Sequence, residues 1–277
     1  MKIKKLISAL VLGSMLVGLS GCNITDFSAE NLLRPPKAVG DEAEIEQLIA
    51  KTADSGYTLK YPKNGKFRSA IIMTDLDGND SNEAVAFFRN SDETSSVHML
   101  VMYSKDNSWE IASDNIFETT DIDSVDFADL TGNGKAEIIV NSTTYTPNVG
   151  KLSCYSYSEG KTNEVGSGQS CSSFVTGDFD NDGTSEIMSL VLYTTENEAL
   201  ASMLDYNEDS KSLYAKAMAN MDPNVVKYKN IAVTKLDNDI TGIVVDGTSA
   251  NEVTNTQVIF YSRDLAILRN IVIKLCN

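Results

Sequence analysis

Short apolar segments, most of them alternating with polar residues, follow one another along the chain from residue 57 onward. A period of two with many β-branched residues predicts β-strands. The segments are grouped, because two of them flank an acidic loop and two more precede the next such loop. The loops start at Asp75, Asp129, Asp178 and Lys235, so the group repeats at spacings of 54, 49 and 57 residues. The pattern therefore predicts four similar units of four strands each.

The first two strands of a unit are predicted directly before and after its acidic loop. In the first three units they are the segments 70–73 and 83–88, 125–127 and 137–140, and 174–175 and 186–192. The later strands are predicted at 97–103 and 109–112, 152–157 and 163–165, 200–206 and 213–218, and, in the fourth unit, 257–261 and 267–275. Four strands within about 40 to 55 residues are typical of a β-propeller blade. We therefore predict an all-β fold over residues 57–277, a propeller-like array of four-stranded blades.

Four units leave the closure of such an array open. One possibility is a four-bladed ring that is closed by the strand predicted near Tyr57. A second is a partial propeller that pairs with another chain, since an open blade edge favours self-association. The third is a shortened relative of larger propellers, because the chain ends on the apolar run Ile271 to Cys276. All three are compatible with the pattern.

A short helix is predicted before the strands. The run Asp41 to Glu44 has the form of a capping box, and its acidic residues suit the helix dipole. Ile45, Leu48 and Ile49 have the i, i+3, i+4 spacing of one apolar face. We predict about three turns that pack on the strand units, and a helix that binds a partner is the alternative. Residues 22–56 are thus assigned to a polar tether and this helix.

The third acidic loop is the most complete candidate metal site. Its candidate ligands are Asp178, Asp180, Asp182, the backbone carbonyl of Thr184, and Glu186 directly or through water. Hard divalent cations prefer several anionic oxygen ligands on a sharply turning backbone, and Gly183 permits that turn. A tight polar hairpin is the alternative reading of Asn-Asp-Gly. Four carboxylates within nine residues repel one another without a cation, which favours metal binding.

Two further loops carry the same pattern in weaker form. The candidate ligands are Asp75, Asp77, Asn79 and Glu83 in the first loop, and Asp129, Thr131, Asn133 and Glu137 in the second. The first loop has Asp80 where glycine is usual, and the second has only two carboxylates. The fourth has Lys235 in the first position, where an ammonium replaces an ion, so no metal is predicted there. No loop contains histidine or cysteine, so the predicted ion is Ca²⁺ in a structural role.

These loops resemble those of the FG-GAP/VCBS repeat family, which forms integrin-α-like β-propellers. The resemblance covers residues 57–275 and implies that each loop joins the first two strands of a blade and holds calcium. An EF-hand is excluded because position 12 is Ala86, Val140 or Ser189 where that module needs a glutamate. The chain departs from the family in its small number of units and in having glutamate, not aspartate, at the ninth loop position.

Residues 1–21 have the features of a bacterial signal peptide. Three lysines precede an apolar run at 6–19 that is too short for a comfortable membrane span. The run Leu19-Ser-Gly-Cys22 resembles a lipobox, which implies that Cys22 is lipidated. Acyl chains then anchor the protein to the cell membrane, with its globular part outside the cytoplasm. An ordinary cleaved signal is the alternative.

The composition excludes one class of partner. The chain has 39 acidic and 23 basic residues and a formal net charge of −16. Removal of residues 1–21 takes away three lysines and no acid, which leaves 39 acidic and 20 basic residues and a net charge of −19. Nucleic acids and anionic lipid headgroups require a basic surface, so neither is an expected partner. The acidic residues suit a secreted protein that holds cations, or serve solubility alone.

Little in the sequence indicates catalysis. The single histidine, His98, lies in a strand pattern and is expected to be structural. No Ser/His/Asp set and no phosphate-binding glycine loop is recognisable, and the dense acid clusters are already explained by the cation loops. Cys154 and Cys171 either form a disulfide or remain buried thiols.

The sequence therefore favours a lipid-anchored, calcium-stabilised propeller that acts as a binding or scaffold module for an extracellular protein or glycan. The first alternative is a carbohydrate-active enzyme or lectin, which needs an acid pair or an aromatic cluster outside the loops. Trp109, Tyr103, Tyr155, Tyr157 and Tyr193 are candidates for such an aromatic surface or for the blade core. The second alternative is a purely structural envelope lipoprotein.

Overall fold

The structure is a computed structural model that describes residues 40–53, 56–146, 148–194, 196 and 198–273. The predicted signal peptide, the lipobox with Cys22 and the tether up to residue 39 lie outside the described residues. The described part is mostly β, with the α-helix α1 at Asp41–Thr52 and four antiparallel sheets built from consecutive strands.

The first sheet contains β1 (Tyr57–Leu59), β2 (Ile71–Thr74), β3 (Glu83–Asn90), β4 (Val97–Lys105) and β5 (Ser108–Phe117). The second contains β6 (Ile122–Ala128), β7 (Glu137–Thr143), β8 (Gly150–Ser158) and β9 (Lys161–Cys171). The third contains β10 (Ser173–Gly177), β11 (Glu186–Tyr193), β12 (Glu198–Asn207) and β13 (Ser212–Asn220). The fourth contains β14 (Val225–Asp237), β15 (Ile240–Ser249), β16 (Thr254–Ser262), a short 3₁₀ turn (Arg263–Leu265) and β17 (Ile267–Ile273). The prediction of four units of four strands is confirmed, and β1 is a fifth strand of the first sheet.

Consecutive sheets pack face to face. The first strands of the second, third and fourth sheets, β6, β10 and β14, lie side by side and are called the inner strands. The last strands of the four sheets, β5, β9, β13 and β17, are adjacent in the same order and are called the outer strands. The three interfaces between sheets contain, in order, Phe87 and Ile138, Ile139 and Ile187, and Met203 and Ile243. The strand that follows the acidic loop in each of the first three sheets, β3, β7 or β11, is buried on both faces, which explains its nearly continuous apolar sequence.

The helix α1 covers the remaining face of the first sheet. Ile45 and Ile49 are buried against Phe88, Leu100 and neighbouring residues of β3 and β4, so the predicted packing of the helix is confirmed. The predicted capping box is wrong. Gly40 occupies the N-cap position with φ of 64°, and no side chain caps the helix. The acids of the first turn instead lie within the helix, where they still favour its positive end.

The strand at Tyr57–Leu59 does not close a ring. It pairs with Phe88–Asn90 of β3, beside β2, and so extends the inner edge of its own first sheet. The edge strand β17 ends the fourth sheet, where Ile271 and Ile273 are exposed to 51% and 43%. Self-association through this edge stays a prediction.

Cys154 and Cys171, the cysteines within the described residues, are buried free thiols and do not form the disulfide that was one alternative. They lie on β8 and β9 of one sheet, not in adjacent units, and the register pairs Gly150 with Cys171 and Cys154 with Gly166. Four residues along the strands therefore separate them. Burial raises the pKa of both thiols, that of Cys171 to about 12, so neither is a reactive thiolate at neutral pH.

Candidate metal centre

The first three acidic loops have the same backbone conformation. Their fourth and sixth positions have positive φ, at Gly78 and Asp80, Gly132 and Gly134, and Asn181 and Gly183. Aspartate and asparagine are among the non-glycine residues that enter this region most readily, so Asp80 (φ 64°) replaces the usual glycine without a change of loop shape. The repeat recognised in the sequence is therefore a repeat of structure.

The first-position carboxylate organises each loop. Its two oxygens accept the N–H groups of the fifth and sixth residues, at 3.3 and 2.9 Å for Asp75, 3.1 and 2.8 Å for Asp129, and 3.0 and 3.1 Å for Asp178. The fifth-position side chain accepts the N–H of the seventh residue, from Ser81 to Asn79, Lys135 to Asn133 and Thr184 to Asp182. These bonds fix the loops and leave lone pairs of the same oxygens for a cation.

The ninth-position glutamate, a departure from the family pattern, is buried in all three loops. One oxygen accepts the N–H of the second loop residue, at 2.8 Å for Glu83, 2.8 Å for Glu137 and 2.7 Å for Glu186. Burial raises the pKa of all three carboxyls. The effect is largest for Glu186, whose pKa rises to about 8 through burial and through the charges of Asp180, Asp182 and Asp205.

The third loop contains a group of four carboxylates that could hold a cation. Asp178, Asp180, Asp182 and Glu186 each place one carboxylate oxygen within 4.8 Å of the others. Glu186 is completely buried, and its Oε1 has no hydrogen-bond partner among the described residues. A buried, unpartnered carboxylate oxygen is costly unless an ion or a proton satisfies it. An all-oxygen, anionic set of this kind suits Ca²⁺.

The first loop shares this property in part. Asp75, Asp77 and Glu83 bring their ligand atoms within 4.8 Å of one another. Asp77 Oδ1 is buried and has no hydrogen-bond partner in the described part of the chain. The structure thus brings three of the four predicted ligands together, while the side-chain oxygen of Asn79 accepts the N–H of Ser81.

In the second loop, both oxygens of the ninth-position glutamate have hydrogen-bond partners within the loop, so they do not require a cation. Thr131 occupies the third position and donates its hydroxyl to Glu137 Oε1 at 3.2 Å, the atom that corresponds to the unpartnered oxygen of Glu186. With Asp129 and Glu137 as its only carboxylates, the loop has both less charge and no unpaired acceptor on its glutamate. We therefore assign the metal candidates to the first and third loops.

The fourth unit has no such loop. The strands β14 and β15 are joined by the two-residue turn Asn238–Asp239, so Lys235 and Asp237 lie within β14. The weak sequence similarity of this segment to the other loops therefore does not extend to its structure.

Two cations near the third loop were not found from the sequence. Lys216 on β13 pairs with Asp180 and, at 2.7 Å, with Asp205, and these acids raise the pKa of the lysine despite its partial burial. Arg263, which follows β16, donates to the carbonyl oxygens of Asp180 and Asn181. Lys216 contacts the loop from β13 and Arg263 contacts it from the turn after β16, and neither residue belongs to a local sequence motif.

The three loops are also joined to one another. Ala136 of the second loop donates its N–H to the carbonyl of Leu76 at 3.0 Å, and Ser185 of the third donates to the carbonyl of Asp129 at 2.9 Å. Each loop thus contacts the preceding one, so a cation that fixes one loop also restrains its neighbour.

His98 forms a separate, fully partnered cluster on the first sheet. Its Nδ1 lies 2.9 Å from Asp114, its Nε2 lies 3.0 Å from Glu93, and its ring stacks on Phe88. Burial alone lowers the pKa of the imidazole, but the hydrogen bonds and charges of Asp114 and Glu93 outweigh it and raise the pKa. The arrangement fits the expected structural role.

We expect this histidine to make stability depend on pH. A raised folded-state pKa means that its stabilisation is complete below the unfolded value of about 6.5 and is lost as pH rises through the folded pKa. NMR titration of the single histidine ring should give a midpoint above 6.5. The difference in unfolding free energy between wild type and His98→Gln should shrink as pH increases. A titration midpoint below the unfolded-state pKa would contradict the expectation that Asp114 and Glu93 raise the pKa of His98.

No protein-family model matches the chain, and no curated protein matches it. The similarity to FG-GAP/VCBS repeats therefore depends on the loop residues themselves. Within the described residues, no helix is both long enough and apolar enough to cross a membrane.

Proposed function

We propose that the protein is a calcium-stabilised, propeller-like binding or scaffold module, held outside the cytoplasm of a bacterium by a lipid on Cys22. The observation that carries the calcium assignment is the buried Glu186, which lies in one cluster with the carboxylates of three aspartates and whose Oε1 lacks a hydrogen-bond partner among the described residues. The anchor rests on the lysines, the apolar run and the Leu-Ser-Gly-Cys motif of residues 1–22.

The propeller-like arrangement is supported by the order of strands in the sheets. The second, third and fourth sheets are meanders of four consecutive strands, and their first strands β6, β10 and β14 lie side by side. Face-to-face packing of consecutive four-stranded meanders is the packing of propeller blades. The helix α1 takes the position of a preceding blade on the first sheet, which favours a partial array over a ring closed by the strand at Tyr57.

A scaffold or binding role fits these features better than catalysis. The acidic side chains of the loops are used to hold the loop backbone and a cation, and His98 is occupied by Asp114 and Glu93. The extracellular partner is proposed to be a protein or a glycan. Because the chain has a net charge of −16, nucleic acid is not proposed as a partner.

The calcium assignment predicts a large thermal shift. Extracellular calcium sites have dissociation constants of about 0.1 to 1 mM, so 10 mM calcium should stabilise each site by about 1.4 to 2.7 kcal/mol. Two sites in a chain of this size correspond to a rise in melting temperature of roughly 6 to 20 °C. The measurement is a thermal melt of the full-length protein in mild detergent, first in EDTA and then with calcium.

Magnesium is the matched control for this melt. It requires near-octahedral coordination and keeps several waters, so a loop with four converging carboxylates should bind it more weakly and shift the melt less. Equal shifts with both ions would indicate charge screening, and no shift with either would reduce the loops to polar hairpins.

A further inference from the structure

The third acidic loop contacts a positive charge of the protein itself. The ammonium group of Lys216, on β13, contacts Asp180 Oδ2 of the loop and lies 2.7 Å from Asp205 Oδ2 on β12. The side chains of Asp180 and Asp205 are 8% and 13% exposed, so Lys216 neutralises two carboxylates that are largely removed from water. Among the described residues, no lysine or arginine forms an ion pair with a carboxylate of the first or the second loop.

A β-bulge brings Lys216 to this position. In each of the first three sheets, the register between the last two strands shifts opposite the residue that follows the ninth-position glutamate. The residue that the bulge adds to the last strand is Ala112 in the first sheet, Val165 in the second and Lys216 in the third. Ala112 and Val165 pack in the apolar clusters of their sheets. The same backbone feature thus supplies an apolar side chain twice and a cation once.

Lys216 and a cation in the loop use the same carboxylate. Asp180 belongs to the four carboxylates of the candidate site, and its Oδ1 accepts the N–H of Asp182 at 3.2 Å while its Oδ2 accepts the ammonium. Two positive charges at one carboxylate repel each other, and the ammonium occupies lone pairs that a cation needs. Lys216 does not replace the cation completely, because Glu186 Oε1 is buried and lacks a hydrogen-bond partner among the described residues. The loop is therefore partly neutralised before any ion binds.

We propose that Lys216 is a tethered counter-ion of the third loop, which holds the calcium-free loop in its folded form and lowers the calcium affinity of the site. This role rests on the proposed calcium function and specifies how the third site is tuned. Without calcium, the ammonium offsets the repulsion between Asp180 and Asp205. With calcium, it reduces the net negative charge that the ion meets, and ligand charge is one of the factors that set the affinity of calcium sites.

Lys216→Met tests both parts of this role, since methionine keeps most of the length of the side chain and removes its charge. The calcium affinity of the third site should rise about tenfold, because Asp180 is freed and a repulsive charge is lost. In EDTA the melting temperature should fall by about 5 to 10 °C, because two buried carboxylates are left without a counter-charge. In saturating calcium it should return towards the wild-type value.

The affinity is measured by isothermal titration of the full-length protein in mild detergent with calcium chloride, and the stability by melts in EDTA and in calcium. The proteins are compared with and without Asp77→Asn, which removes a carboxylate of the first site so that the third site can be followed separately. The matched control is Lys151→Met. Lys151 is an exposed lysine near the start of β8, in the second sheet, so this change removes the same charge without touching the third loop. It should alter neither value.

Asp205→Asn is the opposite change at the same contact. It removes the carboxylate that shares the ammonium, so Lys216 then acts on Asp180 alone and calcium affinity should fall about threefold or more. A lysine that only held Asp180 in place would make both Lys216→Met and Asp205→Asn weaken calcium binding. Opposite signs of the two changes therefore separate a counter-ion from a structural contact, and Asp205→Asn keeps the test open if Lys216→Met does not fold.

Three results would overturn the counter-ion role. They are calcium binding by Lys216→Met that is unchanged or weaker, an unchanged melting temperature of this variant in EDTA, and equal effects of Lys216→Met and Lys151→Met. If the wild type shows the calcium shift while one of these results is found, the calcium-stabilised module stands and only the role of Lys216 fails. If the wild type shows no calcium shift but Lys216→Met binds calcium, the lysine is the resident cation, and the proposed calcium function fails instead. The absence of calcium binding in both proteins overturns both.

Discussion

Glu186→Gln is expected to stabilise the calcium-free protein and to remove about half of its calcium-dependent thermal shift. The glutamine carbonyl can still accept the N–H of Phe179, which the native Oε2 accepts at 2.7 Å. The substitution removes a buried carboxyl whose pKa is raised to about 8, so folding at neutral pH no longer requires this group to take up a proton or to bury its charge. We expect a gain of about 1 to 3 kcal/mol in calcium-free unfolding free energy. The third loop then lacks an anionic ligand, and its calcium affinity should fall at least tenfold.

The matched control for this substitution is Glu137→Gln. It changes the corresponding residue of the second loop, where both carboxylate oxygens already have partners in Leu130 and Thr131. The calcium shift should therefore be the same as in the wild type. The measurement is a pair of melts, in EDTA and in 10 mM calcium, for each variant. If Glu186→Gln destabilises the EDTA form and keeps the full calcium shift, the buried glutamate is a structural hydrogen-bond acceptor and not a metal ligand.

The repeated parts of the fold could be predicted from the sequence because they are encoded locally. A strand pattern with a period of two, followed by oxygen side chains at positions one, three, five and nine, indicates where β2 and its equivalents end and where β3 and its equivalents begin. The loop shape also follows from local groups, since Asp178 accepts N–H groups only four and five residues further along the chain. Such contacts depend on spacing, and spacing is visible in one sequence.

The residues that complete the candidate site could not be predicted in this way. Lys216 and Arg263 reach the third loop from 36 and 83 residues away, because β13 and the turn after β16 come near it only when the sheets are assembled. Their positions depend on sheet packing, which a repeat pattern does not specify.

The wrong predictions have related causes. The capping box failed because helix α1 begins one residue earlier than its acid pattern indicates, with Gly40 and not an acidic side chain at the N-cap. The strand at Tyr57 was a candidate for closing a ring, but β3 is longer than β2 and leaves an unpaired stretch at Phe88–Asn90 that this strand occupies. The helix start was thus determined by the backbone of Gly40, and the position of the Tyr57 strand by the unpaired edge of β3.

Ile49→Ala is expected to have the largest effect on folding of the substitutions considered. Ile49 is completely buried between α1 and the first sheet, in contact with the cluster that contains Phe88, Leu100 and Met102. Loss of a buried isoleucine side chain leaves a cavity and costs about 2 to 5 kcal/mol. This is a large part of the unfolding free energy of a typical domain. Urea denaturation in saturating calcium measures it, and the midpoint should fall without a change in calcium affinity.

Gln47→Ala is the control on the same helix, because Gln47 is exposed and alanine is a strong helix former. It should change stability by less than about 0.5 kcal/mol. If Ile49→Ala is equally mild, α1 is a loosely attached segment and the first sheet does not need it. If the expected loss is found, the helix buries one apolar face of the first sheet, as each following sheet buries a face of the sheet before it. The apolar face of the first sheet is then covered by a segment of the same chain.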